Sequence, residues 1–155
     1  MNTLQAGFSR VNVTPMMGIP MRGYFKERFA EAEADFNMAI ACDSSYLLSY
    51  FNRALVYSDT HRPMAALADF DKVISLDSTN SLTYFNRAIL RSNIGDYNRA
   101  LEDYDKTIEL YPDFAKAYMN RSYVKNLLGR HKEARSDYET AQKKVAEYRQ
   151  RNVTD

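Results

Sequence analysis

YFNRA, at residues 50–54, returns unchanged at residues 84–88 and as YMNRS at residues 118–122, with the same offset both times. Aligning residues 47–80 with 81–114 gives fourteen identities in 34 positions without a gap. Working outward, Ala66, Ala100 and Ala134 fall in register, as do Phe70, Tyr104 and Tyr138, and Asp69, Asp103 and Asp137. Self-similarity at a fixed period of this length marks an array of stacked supersecondary units, none of which buries its apolar face alone.

Each unit reads as two helices. Tyr84, Arg87/Ala88 and Arg91 have the three-to-four spacing of one helix face. Gly95 suits the positive φ that follows a helix end, and Asp96 is a suitable N-cap for the next helix. Ala100, Tyr104, Thr107, Ile108 and Tyr111 then line one side of a second helix, which Pro112 stops because proline has no amide hydrogen to donate. The third unit repeats the plan with Gly129 at the turn. The first puts His61 at the glycine position and Pro63 at a plausible first helical position.

This repeated helix–turn–helix unit resembles the tetratricopeptide repeat (TPR) family over about residues 27–148. The aromatics Tyr50, Tyr84 and Tyr118, the small residues Ala54, Ala88 and Ser122, and the run IGDYNRALEDYDKTIELYP carry the likeness. Small residues let two helices approach closely at their crossing. The expected fold class is all-α, a short right-handed α-solenoid of stacked repeats behind an irregular N-terminal leader. The units run 47–80, 81–114 and 115–151, the last with an extended C-terminal helix reaching about residue 150. Residues 27–45 read as an orphan second helix, a half-repeat, with Ala32, Phe36 and Ala39 one full period before Ala66, Phe70 and Val73.

Residues 1–26 form the expected leader, since the prolines and glycines of VNVTPMMGIPMRGYFK oppose a regular helix. Its stretch LQAGFSRVNVTPMMGIPMRGYFKERFAE is similar to the opening segment of neutral/alkaline ceramidase-like hydrolases, over about residues 4–31. The zinc-binding histidines of that family lie far downstream and have no counterpart in this sequence, and Asn12 stands where an aspartate is usual. A fused or borrowed leader is the reading, with a fragment of such a hydrolase as a remote alternative. Beyond the third repeat, Ala134, Tyr138, Ala141, Val145 and Tyr148 continue one stripe. Lys143, Lys144, Arg149 and Arg151 give the helix end the polar cap that a terminal repeat needs.

Of the 155 residues, 26% are charged and 45% apolar, the balance of a soluble globular chain. No apolar stretch is long enough to cross a bilayer, and no signal-peptide core opens the sequence. A single cysteine, Cys42, excludes an internal disulfide and is compatible with a reducing, cytoplasmic location. Residues 35–114 carry a balance of −5 and residues 115–155 a balance of +5, an asymmetry that either steers a partner or belongs to a solvated helix face.

In a stack of helix pairs, the first helices line a concave wall. Spacing and family resemblance place Phe51, Asn52 and Leu55, then Phe85, Asn86 and Ile89, then Lys116, Met119, Asn120 and Tyr123 on it as candidate peptide-binding residues. Asparagine offers donor and acceptor to a peptide backbone, and the apolar side chains supply buried area. The competing reading packs Phe51 and Phe85 between repeats and leaves the asparagines to fold geometry. Some members of the family hold a C-terminal carboxylate with a lysine/asparagine clamp. Asn86 and Lys116 fall on two clamp positions, but Phe51, Leu55 and Asn120 depart from the others.

The recurring Arg53, Arg87 and Arg121 invite a phosphate reading. Their equal periodicity with Asp69/Asp71, Asp103/Asp105 and Asp137/Glu139 favours inter-helix ion pairs and no nucleic-acid partner. The DFD and DYD triplets set carboxylates two apart, on opposite sides of a helix, which is wrong for one metal ion. His61 and His131 have no third ligand of suitable spacing. Cys42 occupies the slot of Leu76 and Leu110, which predicts a buried, inert thiol. No phosphate loop or nucleophile elbow is present, and no catalytic residue, metal or cofactor is assigned. The expected function is a non-catalytic scaffold holding a protein or peptide segment. The alternative is homo-oligomerisation through a half-repeat that exposes Phe29 and Phe36.

Overall fold

Tyrosine, alanine and leucine at helical spacing, punctuated by a turn residue once in every period, leave the chain little choice but paired helices. The computed structural model describes residues 21–153, and their side chains from 26 to 151. Among these the helices are α1 (Met21–Cys42), α2 (Leu47–Asp59), α3 (Pro63–Leu76), α4 (Ser81–Asn93), α5 (Tyr97–Leu110), α6 (Ala115–Leu127) and α7 (His131–Val153). The tightest packing is within the pairs α2/α3, α4/α5 and α6/α7. Each pair then stacks on the next through α3/α4 and α5/α6, while α1 packs on α2 as a second helix does on the first helix that follows.

Ala54, Ala66, Ala88, Ala100 and Ala134, at the crossings, are wholly buried. Ser122 replaces alanine at one crossing, and its hydroxyl donates to the carbonyl of Ala134 at 2.6 Å, so no polar group is stranded there. One core cluster joins Ala54, Ala66 and Phe70 to Leu90 of the next repeat. The other joins Phe85, Ala88, Ala100, Leu101 and Tyr104 to Ala117 and Val124. Because each cluster takes residues from two repeats, no repeat has a core of its own.

All three intra-repeat turns close the same way. His61, Gly95 and Gly129 have φ of 58°, 84° and 73°. The amides of Arg62, Asp96 and Arg130 reach back to the carbonyls of Tyr57, Arg91 and Lys125 at 2.8, 2.8 and 2.9 Å, the six-to-one bond of a Schellman turn. Histidine therefore holds a left-handed conformation that glycine occupies without strain. Asp96 sits at the N-cap of α5, but its carboxylate does not cap the helix as expected. Its own backbone completes the preceding turn, and its side chain lies 3.6 Å from Arg99.

An arginine ladder ties the pairs together. Arg53 donates twice to Asp69, both at 2.7 Å, and Arg87 twice to Asp103, at 2.9 and 2.6 Å. Arg121 does the same with Asp137, at 2.8 and 2.6 Å. The remaining terminal nitrogen reaches backwards to the preceding second helix: Arg53 to Asn37, Arg87 to Asp71 and Arg121 to Asp105. Each guanidinium also lies 5.5–5.6 Å from the ring centre of the tyrosine three residues before it. Repeats two and three add a second cation at the same carboxylate, Arg91 on Asp103 and Lys125 on Asp137, both at 2.8 Å. Repeat one has Tyr57 at that position, so Asp69 depends on Arg53 alone.

Several expectations change. The boundary at residue 27 moves: α1 begins at Met21, immediately after Pro20 in sequence, because one interior glycine, Gly23, costs only about 1 kcal/mol and does not stop a helix. Phe36 is buried, not exposed, while Phe29 is half-buried. Cys42 is exposed, because its position is the last of the helix and the equivalent Leu76 is itself open to solvent. The leader as far as residue 20, with most of its ceramidase-like stretch, lies outside the described residues.

Two outcomes follow from these contacts. Because space around Gly95 is open, its cost of substitution is conformational. Gly95→Ala should destabilise, and His61→Gly stabilise, each by about 1 kcal/mol in chemical denaturation. Shifts of the same sign would contradict the shared turn geometry. Arg53→Met, which strands the buried Asp69, should cost about 3 kcal/mol, and Arg87→Met distinctly less because Arg91 keeps its grip. Acid titration supplies a companion test. Burial pushes the Asp137 carboxyl up, but hydrogen bonds from Arg121 and Lys125 outweigh it and hold the group below its usual range. Its contribution is thus complete above about pH 4 and lost as pH falls through the lower folded value, so Asp137→Asn should flatten the acid limb of a stability–pH curve.

Candidate functional site

The first helices α2, α4 and α6 stand side by side, and α4 and α6 also touch directly. On one face of each of them an asparagine stands between two flanking positions that recur in register. The stripe on α2 runs Leu48, Asn52, Leu55; on α4 it runs Leu82, Asn86, Ile89; on α6 it runs Lys116, Asn120, Tyr123. These are helical positions i, i+4 and i+7, which share one face. Leu48 and Leu82 are about half exposed, and Lys116 is exposed. The three asparagines and Leu55 and Ile89 are half-buried, whereas Met119 and Tyr123 are open to solvent.

The asparagines share a register but not an environment. Asn52 has no side-chain hydrogen bond among the described residues. Asn86 donates to the carbonyl of Leu82 on its own helix at 2.8 Å, which leaves its oxygen free to accept. Asn120 lies near the hydroxyl of Tyr104, which is 3.5 Å from the Ser92 hydroxyl. Burial raises the Tyr104 pKa, so the phenol stays protonated. Asn86 is thus partly engaged by its own helix, whereas the Asn52 amide keeps both its donors and its acceptor available.

Phe85 is a correction to the apolar side of the wall. It is buried, 4.6 Å from the Phe114 ring and 6.1 Å from Tyr104, and fills the joint between repeats two and three. Phe51 is half-buried, edge-on to Phe70 at 6.0 Å. Phe114 follows Pro112, and its ring lies on both Phe85 and Tyr111. Phe51 thus packs within its own repeat, and Phe85 at the joint with the next. Leu48 and Leu82 are the exposed apolar side chains beside them. Sequence reasoning passed over them although Lys116, their counterpart in the third repeat, was singled out; extending the stripe one turn towards the N-terminus of each helix would have found them.

The ladder arginines are not a phosphate site. Each guanidinium is taken up by carboxylates, or by Asp69 and Asn37 in repeat one, and each side chain is largely buried. At the far end, α7 runs past the foot of α6. Lys144 meets Asp113 at 2.8 Å and holds that carboxyl below its usual range, and Arg151 lies 3.9 Å from it. His61 lies on the turn between α2 and α3 and His131 opens α7, where it contacts Asn126 at 3.1 Å. Among the described residues no three His, Cys, Asp or Glu side chains are grouped to hold a metal ion, and no helix is long and apolar enough to cross a membrane.

Comparison with known proteins follows this geometry. No curated protein matches the chain. Among solved structures, a crystal structure of MamA is 20% identical over 79% of this chain and 67% of that one, with a TM-score of 0.73. MamA from residue 41 of the Desulfovibrio magneticus RS-1 protein superposes with the same TM-score, at 12% identity over 80% and 70% of the two chains. The second TPR of Spaghetti (RPAP3), bound to the HSP90 peptide SRMEEVD, is 25% identical over 72% of this chain and 96% of that one, with a TM-score of 0.60. Descriptions of the tetratricopeptide repeat match residues 47–80, 81–114 and 115–143, a continuous span of more than half the sequence. The chain belongs to the tetratricopeptide repeat family.

Proposed function

We propose that this protein is a non-catalytic interaction module that holds a peptide or protein segment of another polypeptide against the faces of α2, α4 and α6. The observation that carries this reading is the stripe of Asn52, Asn86 and Asn120 set between Leu48, Leu55, Leu82, Ile89, Met119 and Tyr123. Packed helices lie about 8–10 Å apart. An extended peptide advances about 3.3 Å per residue, so it meets one asparagine about every three residues. Amide groups at that interval suit backbone recognition, and the leucines and isoleucine between them suit apolar side chains of the ligand. The Spaghetti repeat, seen with an HSP90 peptide, is a relative whose repeats hold a peptide.

The ligand in this account is apolar in its central residues and does not depend on a terminal carboxylate. Phe51, Leu55 and Asn120 replace the groups a carboxylate clamp needs, and Arg121, beside Asn120, is already bound to Asp137 and Asp105. A cytoplasmic location belongs to the same proposal, and the exposed Cys42 thiol is compatible with a reducing compartment. Self-association through α1 has a weaker basis once Phe36 is buried. A hydrolase reading would rest on the ceramidase-like leader alone.

Selection of a displayed random peptide library on the full chain, followed by fluorescence anisotropy, tests the groove. Enriched peptides should carry apolar residues at spacings of about three. The triple change of Asn52, Asn86 and Asn120 to Ala should weaken them at least about tenfold, at about 1 kcal/mol per lost hydrogen bond, while leaving the helical signal intact. No enrichment, or equal binding to the triple variant, would remove the groove as the working surface.

A further inference from the structure

The third repeat ends in a face that the first two keep covered. Phe70 and Tyr104 are 1% and 2% exposed, because the first helix of the following repeat lies over each of them. Leu90 of α4 packs with Phe70, and Ala117 and Val124 of α6 pack with Tyr104. Tyr138 is the same position of the third repeat and is 48% exposed. Beside it in register on α6, Met119, Tyr123 and Leu127 are 43%, 64% and 48% exposed. A repeat face left open to solvent ordinarily carries polar side chains. The extension of α7 is polar, but this end face carries four large apolar side chains.

The same face has an unfilled rung of the ladder. Asn37, Asp71 and Asp105 each receive the back-reaching nitrogen of the arginine on the next first helix. Glu139 stands one period after Asp105 and continues that series. Its ion pair is with Arg135 on its own helix, 3.6 Å away, and both side chains stand in solvent. Shape and charge thus specify the same cover: an amphipathic helix with aliphatic side chains, as Leu90, Ala117 and Val124 supply on the earlier repeats, and an arginine directed at Glu139.

We propose that the face formed by Tyr138, Met119, Tyr123, Leu127 and Glu139 docks an arginine-bearing amphipathic α-helix of a partner polypeptide, in the way α4 and α6 dock on the repeats before them. The face shares Met119 and Tyr123 with the groove but differs from it in its use of Leu127, Tyr138 and Glu139, and it does not require the asparagine stripe. Its occupant is a helix, recognised by one charge and an aliphatic seam, and not an extended segment.

The probe is a helix-constrained synthetic peptide of residues 81–94, SLTYFNRAILRSNI, which covers the equivalent face of repeat one. Titrated against the full chain, it should bind, and both Tyr138→Ser and Glu139→Lys should weaken it at least about tenfold without changing the circular dichroism of the protein. Changing the arginine equivalent to Arg87 in the peptide to glutamate should abolish binding to the native protein and restore it to the Glu139→Lys variant. Absence of binding, or equal binding to the native protein and both variants, overturns the proposal. A dimer of the native chain in sedimentation that Tyr138→Ser dissolves also overturns it, and assigns the face to a second copy. The Asn52, Asn86 and Asn120 triple variant should retain the peptide, so failure of the groove and failure of this face are told apart.

Discussion

A single guanidinium that grips two second helices at once sets the geometry of this protein. Arg87 is fixed to Asp103 by two bonds and reaches Asp71 with a third nitrogen, and Arg53 and Arg121 repeat the arrangement. The planar fork of arginine allows this, where lysine would supply only a point charge. One bond pattern therefore fixes the crossing within a repeat and the spacing to the next. The tyrosine beside each guanidinium and the alanines at each crossing follow from the same constraint, since the arginine reaches its carboxylates only if the helices are close.

Ion pairs out of water contribute modestly to net stability, because desolvation offsets most of the attraction. Their effect here is on register. The core clusters are alanines, aliphatic side chains and a few aromatics drawn from adjacent repeats, whose apolar contacts are non-directional. A bidentate arginine does not tolerate sliding by a turn, since a slip would strand a buried carboxylate. The ladder is thus the specifying element and the alanine, leucine and aromatic contacts are the stabilising one. The first-helix stripes inherit their register from it, and Asn52, Asn86 and Asn120 occupy the same position of successive repeats.

Much of this was legible in the sequence, because the period repeats every constraint three times. The alanine crossings, the glycine turns and the pairing of arginine with aspartate each appear in register. What was not legible depended on neighbours that periodicity does not report. Cys42 shares a register with leucines, but that register is a helix end and not a core. Phe85 and Phe51 look like wall residues by spacing, yet Phe114, brought in by the Pro112 turn, draws Phe85 into the joint between repeats. Asp96 carries a capping side chain, but the preceding turn has already fixed its backbone. Tyr138 matches two core residues and is half exposed, because what buries a position in a solenoid is the next repeat.

The claim that the ladder ties one repeat to the next is tested most directly by a double-mutant cycle on Arg121 and Asp105, which belong to different repeats. Arg121→Met, Asp105→Ala and the pair together would be compared by chemical denaturation at low and high salt. The account predicts a coupling energy of about 1 kcal/mol, at the upper end for a partly exposed pair because Asp137 already holds the guanidinium in place, and a smaller value at high salt. Additive effects at both salt concentrations would contradict it, and would leave the register of the repeats to apolar packing alone.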